Sequence, residues 1–237
     1  MPWDVWLIFF VLAVVVPWRG RIRLRELLAK PQVEARERIS LYISTIVFQW
    51  TAAAVAAWRA SANGFTASQL GLVVHPGWKI VAPAVFGASV FATLHWLNLR
   101  RMGRMTRKAR GMLEALAERI LPQSRAEMFP FLALAVTAGI CEEFLYRGFA
   151  LAAFARAGLP VWAVVLVSSA LFGLAHLYQG RGGLVGTMIL GTLFGVARIA
   201  YDSVVPVMVW HMTVDVVAGL AGPRYLTAKT AGAPTQP

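Results

Sequence analysis

Seven runs of mostly apolar residues, each near the length a helix needs to cross a lipid bilayer, constrain this chain more than any other feature. A hydrocarbon core of about 30 Å takes about 20 such residues at a rise of about 1.5 Å each. The runs extend from Trp3 to Trp18, Ile39 to Trp58, Ile80 to Leu99, Phe129 to about Ala157, Val161 to Tyr178, Leu184 to Ala200 and Val204 to Gly222. Composition points the same way, with 58% of the 237 residues hydrophobic and 14% charged, against about 45–50% and 25% in soluble domains. The fold expected is all-α, a polytopic transmembrane helical bundle of about seven spans. The charge at the start of the first run is Asp4 in place of Lys or Arg, so that run lacks the basic start of a secretory signal and reads as a retained span. One Cys excludes an internal disulfide, and four His are too few for a zinc-finger array.

The net charge of +12 could suggest nucleic acid, but the basic residues fall in short segments between apolar runs. Seven lie between Arg19 and Arg38 and eight between Arg100 and Arg125, and Arg181, Arg224 and Lys229 occupy the next two alternate loops. Lys and Arg of short loops stay on the cytoplasmic side. The expected topology is therefore a multi-pass cell-membrane protein with its N-terminus outside and its C-terminus in the cytoplasm. The amphipathic, basic stretch from Gly103 to Gln123 reads as a helix on anionic headgroups and not as a nucleic-acid surface. Tryptophans such as Trp18, Trp58, Trp78 and Trp96 sit at expected helix ends, as in an interfacial belt. The polar tail from Thr227 to Pro237 is expected to be disordered.

Ionisable residues inside spans are expensive, at about 2.5–3.5 kcal/mol for a charge at the helix centre on insertion scales. Spans two and three contain no carboxylate and read as packing helices. The unusual groups fall in the last four spans: Glu142, Glu143 and Arg147, then His176, then His211 with Asp215. A structural polar cluster, a transport pathway and a catalytic site all collect such residues, and only geometry separates them. The midpoint of Glu142 and His176 falls in the turn Gly158-Leu159-Pro160, so on consecutive antiparallel helices the two share a depth, roughly 25 Å from that turn. Glu143 and Arg147, Phe172 and His176, and His211 and Asp215 are each spaced i, i+4 on one helix face. Glu143 can thus be neutralised within its own helix, leaving Glu142 unpaired. Small residues accompany these faces at Ala135, Ala138, Gly139, Gly173, Gly183, Gly186, Gly191 and Gly195, which suits close helix approach in lipid. One mismatch stands out: straight helices would separate His211 and His176 in depth by roughly 13 Å. Tilt or a recessed turn after Ala200 would close it.

Taken in order, Glu142-Glu143-Phe144-Leu145-Tyr146-Arg147, Phe172-Gly173-Leu174-Ala175-His176 and His211-Met212-Thr213-Val214-Asp215 resemble the signature of the CAAX-protease and bacteriocin-processing (Abi-type) family of intramembrane endopeptidases. The resemblance covers roughly Phe129 to Gly222. It implies a catalytic core in the last four spans, with residues 1–127 as N-terminal helices and basic loops, 128–222 as the core and 223–237 as the tail. It implies cleavage of a peptide bond in a membrane-embedded or lipidated protein or peptide within the lipid bilayer. In that reading Glu142 and His176 activate water, and His211 and Asp215 stabilise the oxyanion, His211 as donor and Asp215 by orienting that imidazole or, if protonated, by donating as well. Glu143, Arg147 and Phe172 support them. The family is described both as glutamate-type and as metal-dependent. If a divalent metal such as zinc takes part, Glu142, His176, His211 and Asp215 are its ligands. Absence of a His-Glu-x-x-His pair favours metal-free chemistry. The last motif ends in Asp where the prenyl-protein branch has Asn, and the substrate stays open among a prenylated C-terminus, a bacteriocin leader, an anti-sigma factor and other single-span proteins. The rival reading is a non-catalytic scaffold or a small transporter with a polar helix core.

Other motifs carry less. Gly87-Ala88-Ser89-Val90 and Tyr201-Asp202 are each half of a serine-type or aspartyl-type intramembrane protease pattern without the other half. Cys141 reads as a small packing residue rather than a nucleophile. His75 falls in an outer loop and His95 near the end of span three.

Overall fold

A computed structural model describes residues 2–73 and 77–227, and the described chain is helical without strands. Its helices are α1 (Trp3–Ala29), α2 (Ala35–Ala62), α3 (Gly77–Gly103), α4 (Arg107–Ile120), α5 (Arg125–Arg156), α6 (Val161–Ala175), α7 (Gly180–Tyr201) and α8 (Val205–Leu226). Six segments are long and apolar enough to cross a membrane: α1, α2, α3, α5, α7 with the 3-10 turn Leu177–Gln179 before it, and α8. The chain is a polytopic helical bundle. The fifth expected span is the short one. α6 has 15 residues, about 22 Å of helix, because the chain leaves the helix at His176 and tightens into the 3-10 turn. The expected tail begins beyond α8, which continues through Pro223 to a buried Leu226. Residues 228–237 and His75 lie outside the described residues.

Proline and the apolar solvent shape two helices locally. Pro17 has no N–H and its ring crowds the carbonyl four residues back. The preceding Val11–Val15 takes the wider π-helical turn, so α1 continues through the proline to Ala29 rather than ending near Trp18. In α3, the carbonyl of Pro83 accepts a hydrogen bond of 2.9 Å from the indole of Trp210 on α8. Trp210 is thus a buried packing residue, unlike the exposed Trp18, Trp58 and Trp78.

Ion pairs close both ends of the bundle, one buried and one partly buried. At the end that carries the basic segments, Arg38 grips Glu127 through two nitrogens, at 2.6 and 3.1 Å, and donates to the Val33 carbonyl at 2.6 Å. Glu127 also accepts from the Gln123 amide at 3.0 Å and the Ser124 hydroxyl at 2.9 Å. This carboxylate thereby satisfies its lone pairs while tying α2 to α5. Arg119 of α4 donates to the carbonyls of Leu27 and Lys30, which caps the C-terminal end of α1. At the opposite end, Asp4 of α1 pairs with Arg59 and Asn63 of α2.

That opposite end also resolves the depth of α8. The turn between α7 and α8 is recessed, with Ser203 and Val204 fully buried. Val204 N–H donates to the Gly71 carbonyl at 2.9 Å, and the Ser203 hydroxyl to the Val73 carbonyl at 3.2 Å. The segment 63–73 covers this turn. Arg198 holds it through the carbonyls of Ser68 and Gln69, and Arg156 through those of Asn63 and Gly64. Because α8 starts below this cap, His211 enters the bundle deeper than a surface turn would place it.

Breaking the Arg38–Glu127 pair from one side leaves a buried charge without a partner, which costs about 3–5 kcal/mol. Glu127→Ala is expected to lower stability in detergent by that amount. Thermal or denaturant unfolding of the purified protein measures it, and an unchanged midpoint would contradict the assignment.

Candidate active site

The Glu pair sits where α5 changes its winding. Arg125–Glu143 is α-helical, and Phe144–Ala150 continues as a π-helix before the α-helix resumes. Every residue of the π segment is buried. A wide turn rotates the helix faces beyond it relative to those before it, and it lies directly after the two carboxylates.

Glu143 is the inner carboxylate. Its side chain is completely buried, and Oε1 accepts from Arg147 Nη1 at 3.0 Å and from His211 Nδ1 at 2.7 Å. The guanidinium of Arg147, also completely buried, lies 4.1 Å from the Phe172 ring centroid and 5.6 Å from that of Phe194. Aromatic faces stabilise a desolvated cation. Close helix approach makes room for this arrangement. A methyl group at Gly191 of α7 would stand 3.1 Å from Arg147 Nη2, and one at Gly139 would stand 3.0 Å from the Met208 carbonyl of α8. Gly173 and Gly195 face α7 and α6 in the same manner, whereas Gly186 faces open space.

Glu142 is the outer carboxylate. Its Oε1 accepts a hydrogen bond of 2.5 Å from Gln49 Nε2 of α2. Its Oε2 stands 3.9 Å from His176 Nε2, too long for a hydrogen bond, and has no hydrogen-bond partner among the described residues. His176 Nδ1 lies 2.9 Å from the Phe172 carbonyl. A carbonyl only accepts, so Nδ1 carries a proton, and in the neutral ring it is the lone pair of Nε2 that faces Glu142. The Phe172 ring packs against both imidazoles, 4.6 Å from His176 and 5.8 Å from His211 between centroids.

On α8, His211 Nε2 is 3.6 Å from Asp215 Oδ2. Accessibility grades across the cluster. The side chains of Glu143 and Arg147 are closed off, His211 is 7% exposed, His176 and Glu142 are 15% and 17%, and Asp215 is 34%. The open side of the cluster therefore presents Glu142, His176 and Asp215, with the Glu143–Arg147 pair behind them.

All seven residues singled out in the sequence lie in this one cluster, on α5, at the end of α6 and on α8. Two of its features were not foreseen. Glu143 reaches across to His211 as well as along its own helix, and Gln49 comes from a helix read as packing alone. A lone carboxamide between Phe48 and Trp50 in an apolar span was the available signal. Among the described residues, no group of three or more His, Cys, Asp and Glu side chains is placed to hold a metal ion. The four donors are divided into a Glu142–His176 pair and a His211–Asp215 pair, with His211 Nδ1 engaged by Glu143. The donor set as arranged does not fit a zinc shell. Cys141 is a buried free thiol, Asp202 ends α7 in a left-handed conformation, and Ser89 donates to the Val85 carbonyl of its own helix.

No curated protein and no solved structure matches the chain. Residues 124–217, which hold the three motifs, match the family model described as type II CAAX prenyl endopeptidase Rce1-like. Over those residues the chain is similar to the CAAX-protease family of intramembrane endopeptidases.

Proposed function

We propose that the chain hydrolyses a peptide bond of a lipidated or membrane-embedded protein, using Glu142 as general base and His211 as oxyanion donor. The observation that carries this reading is the approach of Glu142 Oε2 and His176 Nε2 to 3.9 Å, both of them acceptors when His176 is neutral. Two lone pairs at that spacing have no use for each other. A water between them donates one hydrogen to each and keeps its own lone pair for attack.

The reaction then balances within the site. Water oxygen adds to the scissile carbonyl carbon as Glu142 Oε2 takes its proton. The carbonyl oxygen becomes an oxyanion and accepts from His211 Nε2–H. Glu143 accepts from Nδ1–H of that ring, so the doubly protonated imidazole has a carboxylate behind it while it donates in front. Asp215, within 3.6 Å of Nε2, orients the ring. The proton on Glu142 passes to the leaving nitrogen as the C–N bond breaks, releasing an amine and a new carboxyl terminus. No step passes through a metal. The basic end of the bundle faces the cell interior in this account, in keeping with the distribution of Lys and Arg.

The test is purified protein in detergent incubated with a panel of prenylated, otherwise lipidated and signal-peptide-like substrates. Glu142→Ala and His176→Ala are expected to abolish cleavage with unchanged unfolding midpoints. Wild-type activity in Glu142→Ala would remove the base. His211→Ala is expected to lower kcat by about 10²–10³-fold, the loss typical of an oxyanion donor. Glu143→Ala strands Arg147 and is expected to lose about 3–5 kcal/mol of stability, read by thermal unfolding. Cleavage is expected to persist in EDTA. Activity lost to the chelator and restored by zinc would overturn the metal-free route.

A further inference from the structure

We infer that Gln49 is a positioning residue for the proposed base: its carboxamide clamps one oxygen of Glu142 and so selects the other to face His176. The inference rests on the assignment of Glu142 as base and extends it to a helix outside the 124–217 match.

Gln49 is the only donor to Glu142 among the described hydrogen bonds, at 2.5 Å, and is itself buried, with 8% exposure. A carboxylate has two equivalent oxygens and rotates about its last bond through a broad, roughly two-fold well. A single donor on Oε1 breaks that equivalence. It fixes the plane of the carboxylate and leaves Oε2 as the oxygen without a partner, on the His176 side. Arg147 does not do this work, because its Nη1 goes to Glu143, and no backbone amide does so either among the described residues.

The donor is held in place from its own helix. The next residue, Trp50, donates its indole N–H to the Thr137 hydroxyl of α5 at 3.3 Å, five residues before Glu142. Within α2, Ala53, Ala56 and Ala60 are buried in the main apolar cluster with Cys141, Phe144 and Leu145 of α5. Side chains this small let α2 lie close against α5, which brings a carboxamide within hydrogen-bond reach of Glu142. The Oε1 atom of Gln49 is buried without a hydrogen-bond partner among the described residues. A carboxamide in an apolar interior is disfavoured unless it is bonded, and the bond that Gln49 makes is the one to Glu142.

Positioning errors near 1 Å cost about 10²-fold in rate. Gln49→Met keeps the length and apolar packing of the side chain and removes the donor. It is expected to lower kcat by about 10²-fold, to leave KM within a few-fold of wild type, and to leave the unfolding midpoint unmoved. Gln49→Asn, a shorter donor, is expected to recover part of the loss. Infrared difference spectroscopy supplies a readout independent of turnover. The Glu142 carboxyl band, identified by its loss in Glu142→Ala, is expected to shift in Gln49→Met. Equal kcat and an unshifted band in Gln49→Met would overturn the clamp while leaving the base in place. Full activity in Glu142→Ala would instead remove the base. A parallel fall in kcat and unfolding midpoint, with the band unshifted, would assign Gln49 a packing role and also overturn the inference.

Discussion

The hydrogen-bonded ion group of Glu143, Arg147 and His211 is the constraint on which the rest of the core depends. Each member sits where an isolated charge would be expensive, so none is tolerable without the others. Glu143 and Arg147 belong to α5 and His211 to α8, and the shared oxygen of Glu143 joins the two helices. Phe172 and Phe194 close around the guanidinium from α6 and α7. Four helices are therefore indexed to one another by a single buried carboxylate, and the reacting groups take their positions from that index.

Neighbouring carboxylates acquire different characters from this arrangement. Glu143 faces inward and spends both of its contacts on cations or N–H donors. Glu142, one residue earlier, points to the accessible side, and among the described residues its one hydrogen bond comes from a neutral carboxamide. The inner residue is committed to structure and to the back of His211. Each has one oxygen without a hydrogen-bond partner among the described residues, but only that of Glu142 belongs to a side chain that is not completely buried. A π-helical stretch directly after the pair carries Arg147, and every residue of that stretch is buried.

Much of this was legible in the sequence because helical geometry is regular. The i, i+4 spacings of Glu143 with Arg147, Phe172 with His176 and His211 with Asp215 each became a contact. Reckoning outward from the Gly158 turn placed Glu142 opposite His176, and their side chains do meet across the helix pair. What escaped depended on irregular backbone or on contacts distant in sequence. A recessed turn after Ala200 was foreseen as one way to bring His211 level with His176, but the carbonyls of the 63–73 segment that reach down to Ser203 and Val204 are encoded by no local pattern. The π-helical turns in α1 and α5 have no distinct apolar period. Arg38 read as a topology signal, yet its charge is consumed by Glu127, 89 residues away. Gln49 carried a faint signal, since one amide in an apolar helix has many structural explanations.

The central claim is that Glu142 acts through water and not as a nucleophile. Single-turnover cleavage in water enriched in oxygen-18, followed by mass spectrometry of both products and enzyme, tests it most directly. The account predicts one heavy oxygen in the new carboxyl terminus and none in the protein. Heavy oxygen incorporated at Glu142, with an unlabelled product, would show a covalent acyl intermediate on that residue and contradict the account.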